Sequence, residues 1–247
     1  MAQRNEIAGF LDEYLNIHEV EDKYLVNGLL FEGKEDVNKI AFAVDSSFDT
    51  ICATQKEGAD MLVVHHGFLS KVSIFPIVRH LKKRVAELVK TDINLYGAHI
   101  PLDVHPEVGN NICLCRLFDV NVKGKFSFGF WGEFKKEIDM DAFVKDINSR
   151  LNTECNVFGF GKKKIKTVAF VSGGAQYDIL PAMLSDIDCL VTGENSHTTY
   201  LIAKDAGMNM ISAGHYATET LGVCALSKIV KDKFKVDTVF IDKPTGL

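Results

Sequence analysis

The chain has 247 residues, which is enough for one large α/β domain or two smaller ones. Hydrophobic residues (47%) and charged residues (25%) are in the range of globular proteins, and the formal net charge of -5 argues against nucleic acid as the main partner. No apolar run reaches transmembrane length, and residues 1–6 lead into no signal-like stretch, so we expect a cytoplasmic protein with no membrane partner. The six cysteines form no Cys-x-x-Cys pair, which favours free thiols over disulfides or a thiolate metal site.

Hydrophobic periodicity predicts helices and strands that alternate along the chain. Apolar residues at helical spacing predict an opening helix over 3–15, and short apolar runs bounded by polar turns predict strands. The predicted strands are 40–44, 61–64, 167–171 and 189–192, and the further predicted helices are 48–57, 139–151, 178–185 and 197–206. Because a helix between two strands favours parallel pairing, the expected fold class is α/β.

Two of the predicted strand-helix-strand segments match at an offset of 128 residues, so that Asp60 corresponds to Asp188. We interpret the match as an internal duplication that produced two similar α/β halves, 1–117 and 167–247, with mixed sheets and a metal cleft between the halves. Residues 118–166 differ in composition and are interpreted as a connecting segment. The alternative is a chance similarity of two ordinary segments of this type.

Histidines and carboxylates follow four of the apolar runs. In α/β proteins chemistry gathers at the carboxyl ends of strands, and imidazole together with carboxylate suits divalent metal ions. The residues in these positions are His65, His66, His99, Asp103, Glu194, His197, His215 and Glu219. The pattern predicts a metal site, although each residue alone could instead cap a strand or a helix.

Two of these pairs have a spacing that suits a shared site. Neighbouring side chains on a strand point to opposite faces, so His65 and His66 can reach one site only if the strand ends there, and Gly67 permits the turn. If a helix begins at His215, then Glu219 lies on the same helix face one turn later.

The segment after the third run contains a proline. Pro101 argues against a helix between His99 and Asp103, which predicts a loop that aims both side chains at one point. We expect His105, two residues further on, to face solvent.

Three imidazoles and two carboxylates are more ligands than one catalytic ion needs. Two ions about 3.5–4 Å apart, bridged by a carboxylate and a water, would use all five. The five predicted ligands are His65, His66, Asp103, His215 and Glu219. Because no cysteine is among them, Zn, Fe, Mn, Co and Ni all remain candidates.

Several motifs together resemble the Nif-three-like family, whose members are named GTP cyclohydrolase I type 2 homologues. The motifs are GADMLVVHH (58–66), AHIPLD (98–103), TGE (192–194) with His197, and GHYATE (214–219). The resemblance implies that the five predicted ligands hold a dinuclear metal site, that the protein forms ring-like homohexamers, and that metal lines an inner cavity. Ile100 stands where the family usually has threonine, a departure that leaves the ligands intact.

The leading functional hypothesis is a two-metal hydrolase, and the family name implies GTP as its small nucleotide substrate, with water attacking C8 of the guanine. The predicted catalytic residues are Glu194 and His197, which would move protons, and His99, which would orient a metal ligand. The alternative is a metal-binding oligomeric interaction or regulatory protein without turnover. A third hypothesis, nucleic-acid binding through the basic run 162–166, is opposed by the net charge.

Overall fold

The computed structural model describes residues 1–72 and 76–247, and these residues form two compact units. The first unit comprises Met1–Gly109 and Gly222–Lys243, and the second comprises Asn110–Leu221 and Pro244–Leu247. In the described part of the chain, no helix combines the length and the apolar character needed to cross a membrane.

The described residues contain thirteen strands and nine α-helices. The strands are β1 (Ala2–Gln3), β2 (Gly28–Phe31), β3 (Asp36–Val37), β4 (Lys39–Asp45), β5 (Met61–His66), β6 (Asn94–Gly97), β7 (Asn121–Phe126), β8 (Gly129–Asp139), β9 (Asn156–Gly159), β10 (Lys164–Val171), β11 (Cys189–Thr192), β12 (Asn209–Ser212) and β13 (Asp237–Phe240). The helices are α1 (Arg4–Tyr14), α2 (Phe48–Lys56), α3 (Arg79–Thr91), α4 (Ile100–Asp103), α5 (Asn110–Leu117), α6 (Met140–Leu151), α7 (Ile179–Leu184), α8 (His197–Ala206) and α9 (His215–Phe234). The predicted helices and strands are all present, with ends shifted by a few residues.

The first unit is built on a five-stranded sheet in the order β13-β4-β5-β6-β2. Its first four strands are parallel, and β2 is antiparallel at one edge. The interiors of the parallel strands β4 and β5, residues 40–44 and 61–64, are buried and apolar, as expected where helices cover both faces of a sheet. Ser47 caps the first crossover helix, α2, by accepting a hydrogen bond from the Thr50 amide.

The second unit is built on a six-stranded sheet in the order β7-β8-β10-β11-β12-β9. Strands β10, β11 and β12 are parallel, and the other three are antiparallel to their neighbours. Residues 118–166 supply β7, β8, α6 and β9 to this unit, and their buried aromatic side chains, including Phe130, Phe134 and Phe143, belong to its core. The expected α/β class with mixed sheets is therefore confirmed.

Strand register repeats between the two units. Ile40 pairs with Met61 in the first unit, and Val168 pairs with Cys189 in the second, so one offset of 128 residues relates both members of the pair. The next three pairs along these strands keep the same offset. An internal duplication predicts such a repeat of register, and the duplication itself stays a prediction.

A buried carboxylate precedes the second parallel strand of each unit. In the first unit Asp60 accepts hydrogen bonds from Lys34 Nζ at 2.7 Å and from the Asn38 amide at 2.9 Å. In the second unit Asp188 accepts from Lys162 Nζ at 2.6 Å and from the Lys166 amide at 2.8 Å. In each unit these hydrogen bonds connect the residue before one parallel strand to the segment at the start of the adjacent parallel strand.

An asparagine at the start of the third parallel strand completes the repeat. Asn94 accepts a hydrogen bond from the Gly33 amide at 2.7 Å and donates to the main-chain oxygens of Lys34 and Asp60. Asn209 makes the corresponding bonds in the second unit, to Gly161, Lys162 and Asp188. These networks lie at the amino ends of the strands, which leaves the carboxyl ends available for a site.

Candidate metal centre

The adjacent histidines His65 and His66 are the last two residues of β5. Side chains of neighbouring strand residues normally diverge, but here the strand ends and the two ring centroids lie 4.6 Å apart. The His65 side chain is fully buried, whereas His66 is partly exposed. The strand end therefore brings both rings to one place, as the sequence predicts.

His99 adds a third imidazole at this edge of the sheet. It follows β6 and precedes the first residue of α4, and its ring centroid lies 5.1 Å from that of His65 and 5.4 Å from that of His66. One nitrogen from each of the three rings lies within 4.8 Å of the others, a grouping that could hold a metal ion. A cluster of three imidazoles is a common ligand set for catalytic zinc.

The prediction of a loop between His99 and Asp103 is wrong. Residues Ile100–Asp103 form the single-turn helix α4, with Pro101 in its first turn. Proline is tolerated there because the first amides of a helix have no partner within it. The turn places Asp103 Oδ2 3.5 Å from His65 Nε2, so the carboxylate still reaches the histidine cluster.

The expectation that His105 faces solvent is also wrong. The residue is only 6% exposed, its Nε2 lies 2.9 Å from the main-chain oxygen of Tyr14, and its Nδ1 accepts from the amides of Glu107 and Val108. Burial lowers the pKa of His105, because the charged imidazolium loses solvation. This histidine holds α1 against the loop after α4 and belongs to the structural framework.

In the second unit His215 and Glu219 lie one turn apart at the start of α9. His215 Nε2 lies 3.3 Å from Glu219 Oε2, so the predicted shared helix face is confirmed. Gly173, with a φ of +67°, leaves the space that the Glu219 carboxylate occupies, and a Cβ atom at this position would overlap with the carboxylate. The glycine therefore has both a conformational and a steric reason to stand here.

Of the other two predicted second-unit residues, Glu194 joins this pair and His197 does not. Glu194 Oε1 lies 2.5 Å from His215 Nδ1. Burial alone would lower the pKa of His215, but Glu219 and Glu194 outweigh it and raise the pKa to about 9. A metal ion that binds Nε2 must therefore displace a proton. His197 is the exposed first residue of α8, a helix that Ser196 caps.

Four of the imidazoles, three in the first unit and one in the second, have Nδ1 beside an oxygen that can accept a hydrogen bond. The acceptors are Ala98 O for His65 (2.9 Å), Asp45 for His66 (2.9 Å), Asp22 for His99 (2.9 Å) and Glu194 for His215 (2.5 Å). Because these oxygens only accept, each Nδ1 carries a proton, so a metal ion would bind each ring through Nε2. Hydrogen-bonded imidazoles and buried carboxylates fit a divalent ion well.

Sequence reasoning missed Asp22. Its side chain is fully buried, and its carboxylate accepts hydrogen bonds from the side chains of His99 and Asn27 and from the amides of Tyr24 and Leu25. Burial would raise the pKa of Asp22, but these hydrogen bonds outweigh it and hold the pKa far below its usual value. The acidic segment 19–23 resembles a surface loop, and no local signal in the sequence distinguishes Asp22 from its neighbours.

The whole chain is similar to known proteins. A sequence profile of the Duf34/NIF3 (NGG1p interacting factor 3) family matches residues 2–246. A protein of Pyrococcus horikoshii named GTP cyclohydrolase 1 type 2 homolog is 46% identical over 251 residues, which cover 99% of both chains. A solved structure described as protein ybgI, of unknown function, has a TM-score of 0.95 at 35% identity and covers 99% of this chain and 100% of that one. The protein TTHA1606 from Thermus thermophilus has a TM-score of 0.93 at 36% identity, with the same coverage.

Proposed function

This chain belongs to the Duf34/NIF3 family, and on that premise we propose that it is a metal-dependent hydrolase with two divalent ions per subunit. The proposed ligands are His65, His66, Asp103, His215 and Glu219. Two lines of support come from different parts of the chain: the imidazole cluster with Asp103 in the first unit, and the His215–Glu219 pair in the second.

The observation that carries the proposal is the arrangement of the imidazoles. A histidine with a purely structural role can use either ring nitrogen in hydrogen bonds. In His105 both ring nitrogens contact main-chain groups. In the three clustered rings of the first unit, each Nδ1 lies 2.9 Å from an acceptor oxygen, so each ring would bind a metal ion through Nε2. In metalloproteins, a hydrogen bond from the other ring nitrogen to an acceptor fixes the tautomer and the orientation of a metal-binding histidine. Divalent ions bound in such a site supply Lewis acidity and make water a better nucleophile at neutral pH.

The chain's own polar residues would then orient ligands and move protons. Glu194 keeps His215 in place through Oε1, and its second oxygen lies on the side of Gly174, where a proton could be accepted. His197 is exposed at the start of α8 and can exchange protons with solvent. We assign Glu194 and His197 to proton transfer and His99 to the orientation of the metal site.

The proposed substrate is GTP, because curated relatives carry the name GTP cyclohydrolase 1 type 2 homolog. In the proposed reaction water adds to C8 of the guanine and a C8–N bond breaks, which opens the imidazole ring. A second water then releases C8 as formate. Metal-loaded protein should produce formate from GTP, and His215→Ala should abolish it. Full metal loading without formate would overturn GTP as the substrate.

The metal content is tested first and separately. Elemental analysis of the purified protein should give two equivalents of a divalent metal per chain, falling to one or none in His65→Ala and in Glu219→Ala. His80→Ala, which removes an exposed histidine from α3, is the matched control and should keep both equivalents. Two equivalents retained in both ligand variants would contradict the proposed ligands.

We further propose that the protein is cytoplasmic and forms a homohexamer, as the family resemblance implies. Light scattering coupled to size-exclusion chromatography should give a mass near six times that of the 27.4 kDa chain. A monomer or dimer at micromolar concentration would contradict the hexamer.

A further inference from the structure

We propose that His99 contributes its Nε2 to metal coordination beside His65 and His66, and that Asp22 is the positioning residue that sets His99 for this role. The inference rests on the proposed function, since it concerns the same metal site. It replaces the orienting role of His99 with direct coordination, which adds a third imidazole to the first-unit ligands, and it names the buried carboxylate that controls His99.

The Asp22 carboxylate has no exposed surface and is surrounded by hydrogen-bond donors. Oδ1 accepts from the amides of Tyr24 at 2.8 Å and Leu25 at 3.1 Å. Oδ2 accepts from Asn27 Nδ2 and His99 Nδ1, both at 2.9 Å, and from the Ile100 amide at 3.4 Å. Donors surround both oxygens, so Asp22 is held in one orientation and serves as an acceptor toward His99.

These contacts fix both the side chain and the main chain of His99. The side chain is held by Asp22 at Nδ1, and the main chain is held by Asn27, whose Oδ1 accepts from the His99 amide at 2.7 Å. The Tyr24 ring packs edge-on against the imidazole, with 6.2 Å between the centroids. Backbone, ring plane and tautomer are thus all specified, which is more than capping a one-turn helix requires.

The ring of His99 belongs to a group of three imidazoles. The ring of His99 lies against those of His65 and His66, and the three residues can each bring one nitrogen within 4.8 Å of the other two. Since Nδ1 of each ring lies 2.9 Å from an oxygen, we take Nε2 as the atom through which each ring would bind the ion. A divalent ion at this place would have three imidazole nitrogens in reach.

A purely structural role for Asp22 predicts different behaviour. In that case Asp22 would only connect the segment before β2 to the start of α4, and the His99 ring would be dispensable for metal. The two roles separate in a double-mutant cycle, because a residue that acts through His99 has no further effect once the ring is gone.

The experiment is a Co²⁺ titration of metal-free protein, followed by the visible absorption of the bound ion. In Asp22→Asn the amide can present a donor to His99 Nδ1 and so favour the tautomer whose Nε2 is protonated. We expect Asp22→Asn and His99→Ala each to weaken Co²⁺ binding about 10- to 100-fold and to change the absorption spectrum. The double variant should match His99→Ala. Asp60→Asn is the control, since it changes a buried carboxylate at the opposite end of the strands and should leave affinity and spectrum unchanged.

The outcomes distinguish the inference from the function on which it rests. If the unsubstituted protein binds no Co²⁺, the proposed function fails and the inference fails with it. If the unsubstituted protein binds Co²⁺ but His99→Ala keeps its affinity and spectrum, only the inference is overturned. Additive losses in the double variant would also overturn the role of Asp22. His99→Ala leaves the other hydrogen bonds of Asp22 in place, so it remains decisive even if Asp22→Asn does not fold.

Discussion

Lys34 and Asp60 form an ion pair of 2.7 Å before the second parallel strand of the first unit, with the Asp60 side chain only 9% exposed. The pair Lys162–Asp188 repeats it in the second unit at 2.6 Å. Both lie at the amino ends of the strands, away from the histidines that end β5 and the histidine that follows β6. The framework and the candidate metal centre therefore occupy opposite ends of the sheet and can be tested independently.

Acid should destabilise the protein through these two carboxylates. Burial would raise the pKa of Asp60 and of Asp188, but hydrogen bonds from Lys34 or Lys162 and from main-chain amides lower it overall. A lowered folded-state pKa contributes stability above the unfolded value of about 3.9, and this stability is lost as the pH falls toward the folded value. Urea unfolding between pH 7 and pH 3 should show the loss, and Asp60→Asn should reduce it.

At neutral pH, Asp60→Asn should itself lower the free energy of unfolding by about 1–3 kcal/mol, because the buried side chain at position 60 loses the charge that accepts hydrogen bonds from Lys34 and the Asn38 amide. Equal pH dependence in the variant and the parent protein would contradict the assignment to Asp60.

Substitution of Gly173 should damage the metal centre selectively. Gly173→Ala places a Cβ atom where the Glu219 carboxylate lies, so we expect metal affinity to fall at least about tenfold. Gly58 has the same φ of +67° with nothing within 4 Å of a Cβ atom, which makes Gly58→Ala the matched control. Both variants should lose about 1–2 kcal/mol of stability from the left-handed backbone. Metal titration and urea unfolding measure the two effects separately.

Glu194 and His197 should differ in their effect on metal binding. Glu194→Ala removes the acceptor from His215 Nδ1 and should weaken metal binding about 10- to 100-fold with little change in the unfolding midpoint. His197→Ala removes an exposed ring and should leave the affinity unchanged while lowering any hydrolytic rate. Isothermal titration with Zn²⁺ distinguishes them, and equal affinities in both variants would count against the orienting contact.

His105→Ala should destabilise the protein without affecting the metal centre. The substitution removes the hydrogen bonds of both ring nitrogens from a site that is 6% exposed, so we expect a loss of about 2–3 kcal/mol. His80→Ala, at an exposed position, should change stability by less than about 0.5 kcal/mol. Thermal unfolding with bound metal quantified in parallel is the measurement, and metal loss in His105→Ala would contradict a purely structural role.

Local sequence patterns were enough to predict the strands, the crossover helices and the residues that end them. Strand β11 and helix α8 have the predicted bounds because buried apolar runs and the Ser196 cap are local signals. The shared helix face of His215 and Glu219 follows from helix periodicity alone. These features depend on residues that are near one another in the chain.

Contacts between distant segments could not be predicted in this way. Asp22 is 77 positions from His99, and Gly173 meets Glu219 only through the fold, so neither has a local signature. His105 and Pro101 misled sequence reasoning for the same reason: burial and a helix start depend on neighbours that the local pattern does not contain. Periodicity and capping act over a few residues and can be read along the chain, whereas the tautomer of each imidazole and the room for each carboxylate depend on partners that only folding brings close.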